Sequence, residues 1–253
     1  MSGTTEYDCE SLAWRELLQS WLESFPPQGN LLLLAPEEAA DSTKPEQISI
    51  LIDNLRAGSS RQEPQWQVQI CRPGELDENA APRLPFPTAT FNLIIGDQLS
   101  AFLHLSTAWL AELRRILVKD GRLLLFDSLV PGTRLRGKKA RQLRDAGDYL
   151  NAWHALRNPG HRRYLSNDAW TDLFAAGPLT IQNQAACWIM TDFDSWSGHE
   201  RDALKRLRLR AMLVQAPEKA ALSLTPIVSG DRIAFRLAKV AILATASEFA
   251  ARS

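Results

Sequence analysis

The chain has 253 residues, 45% hydrophobic and 23% charged, enough for one sizeable α/β domain with a full core. No apolar run is long enough to span a bilayer, and the opening MSGTTEYDCES lacks the basic stretch and apolar core of a leader; a cytoplasmic protein with no membrane partner is expected. Basic and acidic residues balance at 29 each, yet residues 1–100 hold 6 basic against 15 acidic and residues 101–253 hold 23 against 14, which points to segregated solvated faces, an anionic partner or complementary surfaces in an oligomer.

Taken in order, residues 11–23 carry Leu12, Trp14, Leu17, Leu18, Trp21 and Leu22 at helical spacing, and Phe25-Pro26-Pro27 stops the helix. Asn30 to Leu34 is a short apolar run suited to a central, fully buried strand. The turn that follows, Ala35 to Asp41, contains no glycine, and Pro36 removes one backbone donor. Two readings stay open for the next segment. Thr43-Lys44-Pro45-Glu46 has capping-box character and Ile48, Leu51, Ile52 and Leu55 continue at helical spacing, which favours a helix, while the branched run at 48–52 also fits a strand ending at Asp53. Trp66 to Cys71 is the second strand, and the polar stretch at 75–81 leaves that half of the sheet abbreviated.

Phe91 to Ile95 and Arg122 to Phe126 bracket a helix whose buried stripe is Leu105, Trp109, Leu110, Leu113, Ile116 and Leu117, closed by Lys119-Asp120-Gly121. Apolar strands joined by an amphipathic crossover imply a parallel sheet covered on both faces. Gly96-Asp97-Gln98 follows the first of these strands, where the carboxyl ends line a binding crevice; Asp97 there either holds a substrate proton or caps the next helix. Residues 133–156 begin with six basic residues between Arg134 and Arg144 and continue to Asn151, Trp153 and His154. A turn at Asn158-Pro159-Gly160-His161 leads to a helix capped by Ser166. His161 is the strongest general-base candidate, set against a plain backbone-bonding role. Leu179 to Met190 is a strand, residues 200–215 a helix with Leu204, Leu207, Ala211 and Val214 facing inward, and residues 232–244 the last strand after the Gly230-Asp231 turn. Cys9, Cys71 and Cys187 lack metal-ligand spacing and are expected as buried or idle thiols, with no metal site. Most of the eight tryptophans belong to the core or to a cleft wall suited to an apolar, ring-bearing ligand. No nucleic-acid-binding motif is present in the sequence.

The stretches LPFPTATFNLII and AELRRILVKDGRLLLFD resemble the class I S-adenosylmethionine-dependent methyltransferases, nearest the subgroup with the ubiquinone and menaquinone C-methyltransferases. The resemblance continues through Asn151, Arg157 to His161, Tyr164-Leu165-Ser166 and Trp170, and covers about the last two thirds of the chain. It implies a three-layer Rossmann-like α/β fold, mostly parallel with an antiparallel last strand, in one domain: an N-terminal helix (1–28), a core sheet (29–130), lid or substrate helices (131–178), and C-terminal strands (179–253) with a helical insert at 197–226. It implies S-adenosylmethionine as cofactor, with Ala35, Asp53, Gly96 and Gln98 at its site, and Asn151, Trp153, Arg157 and Tyr164 along a substrate cleft. In that family the turn after the first strand is glycine-rich, and here it has none, so the expectation is a methyltransferase fold with an eroded cofactor site that does not bind S-adenosylmethionine. Such a protein would bind another small molecule or a protein partner. An active methyltransferase using His161 or Asp97 as base, and an interaction subunit of an assembly, are the alternatives.

Overall fold

A computed structural model describes residues 6–8, 12–23, 28–34, 65–71, 82–198 and 200–246. The expectations for Cys9, for the turn at residues 35–41, for the helix-or-strand segment around Asp53 and for residues 75–81 lie outside these.

The strands are β1 (Glu6–Asp8), β2 (Gln28–Leu34), β3 (Gln65–Cys71), β4 (Phe91–Asp97), β5 (Leu117–Ser128), β6 (Leu179–Asp192), β7 (Ile227–Ser229) and β8 (Arg232–Ala246). The helices are α1 (Leu12–Glu23), α2 (Leu99–Phe102), α3 (Thr107–Ile116), α4 (Lys138–Arg157), α5 (Asn167–Ala175), α6 (Phe193–Ser197), α7 (Ala203–Val214) and α8 (Glu218–Leu224). They form one sheet in the order β1-β6-β8-β5-β4-β2-β3, with β7 paired to β8. The β3–β2–β4–β5 pairs are parallel, whereas β8 runs antiparallel between β5 and β6. The reversal follows from the connection. The chain leaves β6 at Asp192, passes through the helical insert and turns at Gly230, whose φ of +59° lies in the left-handed region. It therefore re-enters the sheet at the end it left, with Asp192 facing Ala234.

Alternation along the strands divides the core. On one face Trp14, Leu18 and Trp21 of α1 pack on Leu31, Leu93, Ile95, Leu124, Ala241 and Leu243. On the other, Trp109, Leu113 and Ile116 of α3 and Trp170 of α5 cover Leu32, Ile94, Leu123, Val240 and Ile242. A third cluster, with Trp153, Tyr164, Trp196, Leu209, Leu213, Leu224 and Phe235, joins α4 to the insert.

Three local expectations are corrected. Helix α3 stops at Ile116, and Lys119-Asp120-Gly121 belongs to β5. There the step from Phe91 to Leu93 on β4 faces the step from Leu117 to Arg122 on β5, so the exposed Lys119 and Asp120 bulge out of the pairing. In α7 the buried residues are Leu209 and Leu213, and the stripe expected to face inward is turned out. Cys71 is a buried thiol, but Cys187 is in a disulfide rather than idle.

Candidate functional site

Two strand ends and the middle of β8 build the candidate site. β4 finishes at Asp97, and Gln98 takes the left-handed conformation (φ 51°, ψ 34°) that turns the chain into α2. β5 finishes at Asp127-Ser128, and the antiparallel register of β8 places Lys239 opposite Ser128. The Asp127 carboxylate accepts from the Ser100 N–H at 2.9 Å, the Ser100 hydroxyl at 2.7 Å and the Ser128 N–H at 2.7 Å. Lys239 Nζ donates to Ser128 Oγ at 2.7 Å, and the Tyr164 hydroxyl donates to Gln98 Oε1 at 3.0 Å. Asp97 is only 3% exposed, yet its Oδ2 has no hydrogen-bond partner among the described residues.

Burial dominates the electrostatics here. It pushes the Asp97 carboxyl up to about 7; Lys239 pulls it down, Asp127 pushes it further up, and a hydrogen bond with Gln98 pulls down. Asp127 is raised to about 6, burial outweighing its three hydrogen bonds and the pull of Lys239. Burial lowers the Lys239 ammonium, and both carboxylates oppose that. A carboxyl pushed up to about 7 thus coincides with an oxygen that has no hydrogen-bond partner among the described residues.

A strap over these strand ends is held by Asn151 of α4. Its Oδ1 accepts from the Tyr164 N–H at 2.7 Å and lies 3.2 Å from His161 Nε2, while its Nδ2 donates to the Tyr164 carbonyl at 3.1 Å. The strap also lies along α2, the Arg162 N–H donating to the Ala101 carbonyl at 2.6 Å. Because Asn151 Oδ1 can only accept, His161 carries its proton on Nε2, and burial lowers its pKa to about 4. That is a weak base with its Nε2 proton committed. His154, equally buried, is held well below the ordinary imidazole value by burial and packs edge-on against Tyr164 at 4.7 Å.

Of the residues singled out in the sequence, Asp97, Gln98 and Tyr164 meet at the strand ends, with Asn151 of α4 and His161 of the strap beside them. Trp153 is buried, donates its indole N–H to the Leu209 carbonyl at 3.0 Å and stacks on Trp196 at 4.0 Å; Arg157 lies over the same Trp196 ring at 4.6 Å. Ala35 and Asp53 lie outside the described residues. At Gly96 a Cβ would sit 2.6 Å from side-chain atoms of Leu99 and Leu125. The Gln98 side-chain oxygen accepts from the Tyr164 hydroxyl.

The sequence reading did not pick out Asp127, Lys239, Ser100 and Ser128. Two signals were available: Lys239 is the only charge in the otherwise apolar run from residue 237 to 246, and Asp127 follows the unbroken Leu123 to Phe126.

Sheet order and the antiparallel β8 match the Rossmann-like fold of methyltransferases, in agreement with the fold that the resemblance at residues 84–95 and 111–127 implies. No family profile matches the chain. Among curated proteins it is similar to YcgJ of Bacillus subtilis, an uncharacterized methyltransferase, with 26% identity over 121 residues, 48% of this chain and 44% of that protein. It is also similar to the uncharacterized protein YafE of Escherichia coli, with 29% identity over 121 residues, 48% of this chain and 54% of that one. The chain thus spans about half the length of the curated relatives it matches. Among solved structures, BH2331 of Bacillus halodurans superposes with a TM-score of 0.67 at 15% identity, over 93% of this chain and 98% of that one. The YcgJ structure superposes with a TM-score of 0.64 at 20% identity, over 92% and 99%.

Proposed function

We propose that this methyltransferase-fold protein has lost an ordinary S-adenosylmethionine site and uses the remaining strand-end crevice, or its surface, to bind another small molecule or a protein partner. The carrying observation is the sequence of residues 35–41 after β2, which has no glycine and one proline where the family's glycine-rich backbone would approach the cofactor. Each buried donor or acceptor missing from such a contact costs about 1–3 kcal/mol. Three of them together weaken binding by roughly two to six decades. The packing of Gly96 against Leu99 and Leu125 and the closure of Gln98 by Tyr164 support the same reading from the β4 side. Calorimetric titration of the purified protein with S-adenosylmethionine tests it. Silence up to millimolar cofactor is expected, and a micromolar dissociation constant overturns it.

One observation favours a second reading, retained methyl transfer. Asp97 Oδ2 is buried and without a hydrogen-bond partner among the described residues, and burial pushes the carboxyl up to about 7, the range of a general base. S-adenosylmethionine, when bound, would supply the methyl group, and Asp97 Oδ2 would take the acceptor's proton. Transfer of label from methyl-labelled S-adenosylmethionine to an aromatic acceptor by the native protein but not by Asp97→Asn would establish it.

A further inference from the structure

Helix α7 reads ALKRLRLRAMLV and carries two faces. One packs into the protein: Leu209 and Leu213 are buried, the Leu209 carbonyl accepts from Trp153, and the Met212 carbonyl accepts from the Tyr149 hydroxyl at 2.7 Å. Lys205, on that side, pairs with Glu200. The opposite face is apolar and turned to solvent: Leu204, Leu207 and Val214 are 56%, 62% and 52% exposed, with the half-buried Ala211 between them. The spacing 204, 207, 211, 214 is three, four, three, the a/d seam of a two-stranded coiled coil rather than the broader stripe of a core-facing helix.

On this register Arg208 and Arg210 take the e and g positions that flank the seam, and α7 contains no acidic residue. Arg206 pairs with Asp194, but neither Arg208 nor Arg210 has an ion pair among the described residues. We infer that the outer face of α7 docks an amphipathic helix of a partner protein, apolar at its own a and d positions and acidic at the flanking ones. Charge selects this occupant. A second copy of α7 would bring arginine against arginine along the seam, which disfavours self-pairing. A bilayer surface would meet only a narrow apolar strip on a twelve-residue helix whose other face is already buried. The inference goes beyond the reading of the strand-end crevice and does not depend on it, since no cofactor enters its test.

The test uses the full chain and two synthetic helices of equal length with Leu at a and d, one with Glu at e and g and the other with Lys there. Fluorescence anisotropy should show the Glu helix binding at least about tenfold tighter than the Lys helix, and weakening as salt rises. Leu207→Gln should weaken it by a further factor of about ten, while Leu222→Gln, exposed on the neighbouring α8, should not. The double change Arg208→Glu, Arg210→Glu should reverse the preference between the helices. All these sites are exposed or half-buried, and unchanged urea midpoints confirm that the variants fold. The inference is overturned by equal binding of the two helices, by indifference to Leu207→Gln, by self-association in ultracentrifugation that Leu207→Gln abolishes, or by binding to phosphatidylglycerol vesicles in place of the Glu helix.

Discussion

Replacing Asp97 by Asn tests whether the strand-end carboxyl is held against its preference. Burial raises its pKa from 3.8 to about 7, so between these values the folded protein keeps a proton that the unfolded chain has released. The folded state then binds more protons, and this group's contribution to stability is full below pH 4 and is lost as pH rises through 7. At about 1.4 kcal/mol per pKa unit, the ionised carboxylate costs roughly 4 kcal/mol at pH 8 and roughly 2 kcal/mol at pH 5. Asn is nearly isosteric with the protonated acid and does not titrate. The variant's advantage over the native protein should therefore grow by about 2–3 kcal/mol between pH 5 and pH 8. Urea unfolding of both proteins across that range measures it. The difference curve is the right quantity, because His154 and His161, lowered by burial, tilt both proteins in the opposite sense below pH 6.5. A flat difference would refute the argument that burial outweighs the attraction of Lys239.

Three further changes probe the packing of the fold and of the site. Glu112 is buried, accepts from the Leu84 N–H at 2.6 Å and is gripped by Arg115 at 2.7 and 2.8 Å; Glu112→Ala should cost about 2–4 kcal/mol in urea unfolding at pH 7. Burial works against ionisation of Glu112, but the Arg115 and Leu84 hydrogen bonds outweigh it and hold the pKa below 4.5, so that contribution should persist above pH 4.5 and fade as acid protonates the group. Asn151→Ala should free the strap at His161 and Tyr164, costing about 2 kcal/mol and raising amide exchange of Tyr164 by more than tenfold. Gly96→Ala forces a methyl group onto Leu99 and Leu125 and should lower the urea midpoint by an amount worth about 1–3 kcal/mol.

The sheet was legible because its strands are apolar on both faces. NLLLL and RLLLF can be buried only between two helical layers, and Trp14, Leu18 and Trp21 mark one of those layers by spacing alone. The Ser166 cap was equally plain, its hydroxyl accepting from the Ala169 N–H. Asp127 and Lys239 were not, since the ammonium meets Ser128 across 111 residues of chain, and only the register of β5 on β8 joins them. Helix α7 shows a different limit. Two stripes compete on one turn pattern, and which one is buried is settled by what α4 offers it: the Tyr149 hydroxyl and the Trp153 indole reach the Met212 and Leu209 carbonyls and fix the rotation. Lys119-Asp120-Gly121 has the composition of a helix stop, but the helix ended earlier, at the extended Leu117.

Crystals soaked in millimolar S-adenosylhomocysteine address the central claim most directly. The predicted result is no nucleoside density at the ends of β2 and β4, with Gln98 still bonded to Tyr164. A nucleoside lying against Ala35 and Pro36, with Asp97 Oδ2 facing the sulfur, would contradict it.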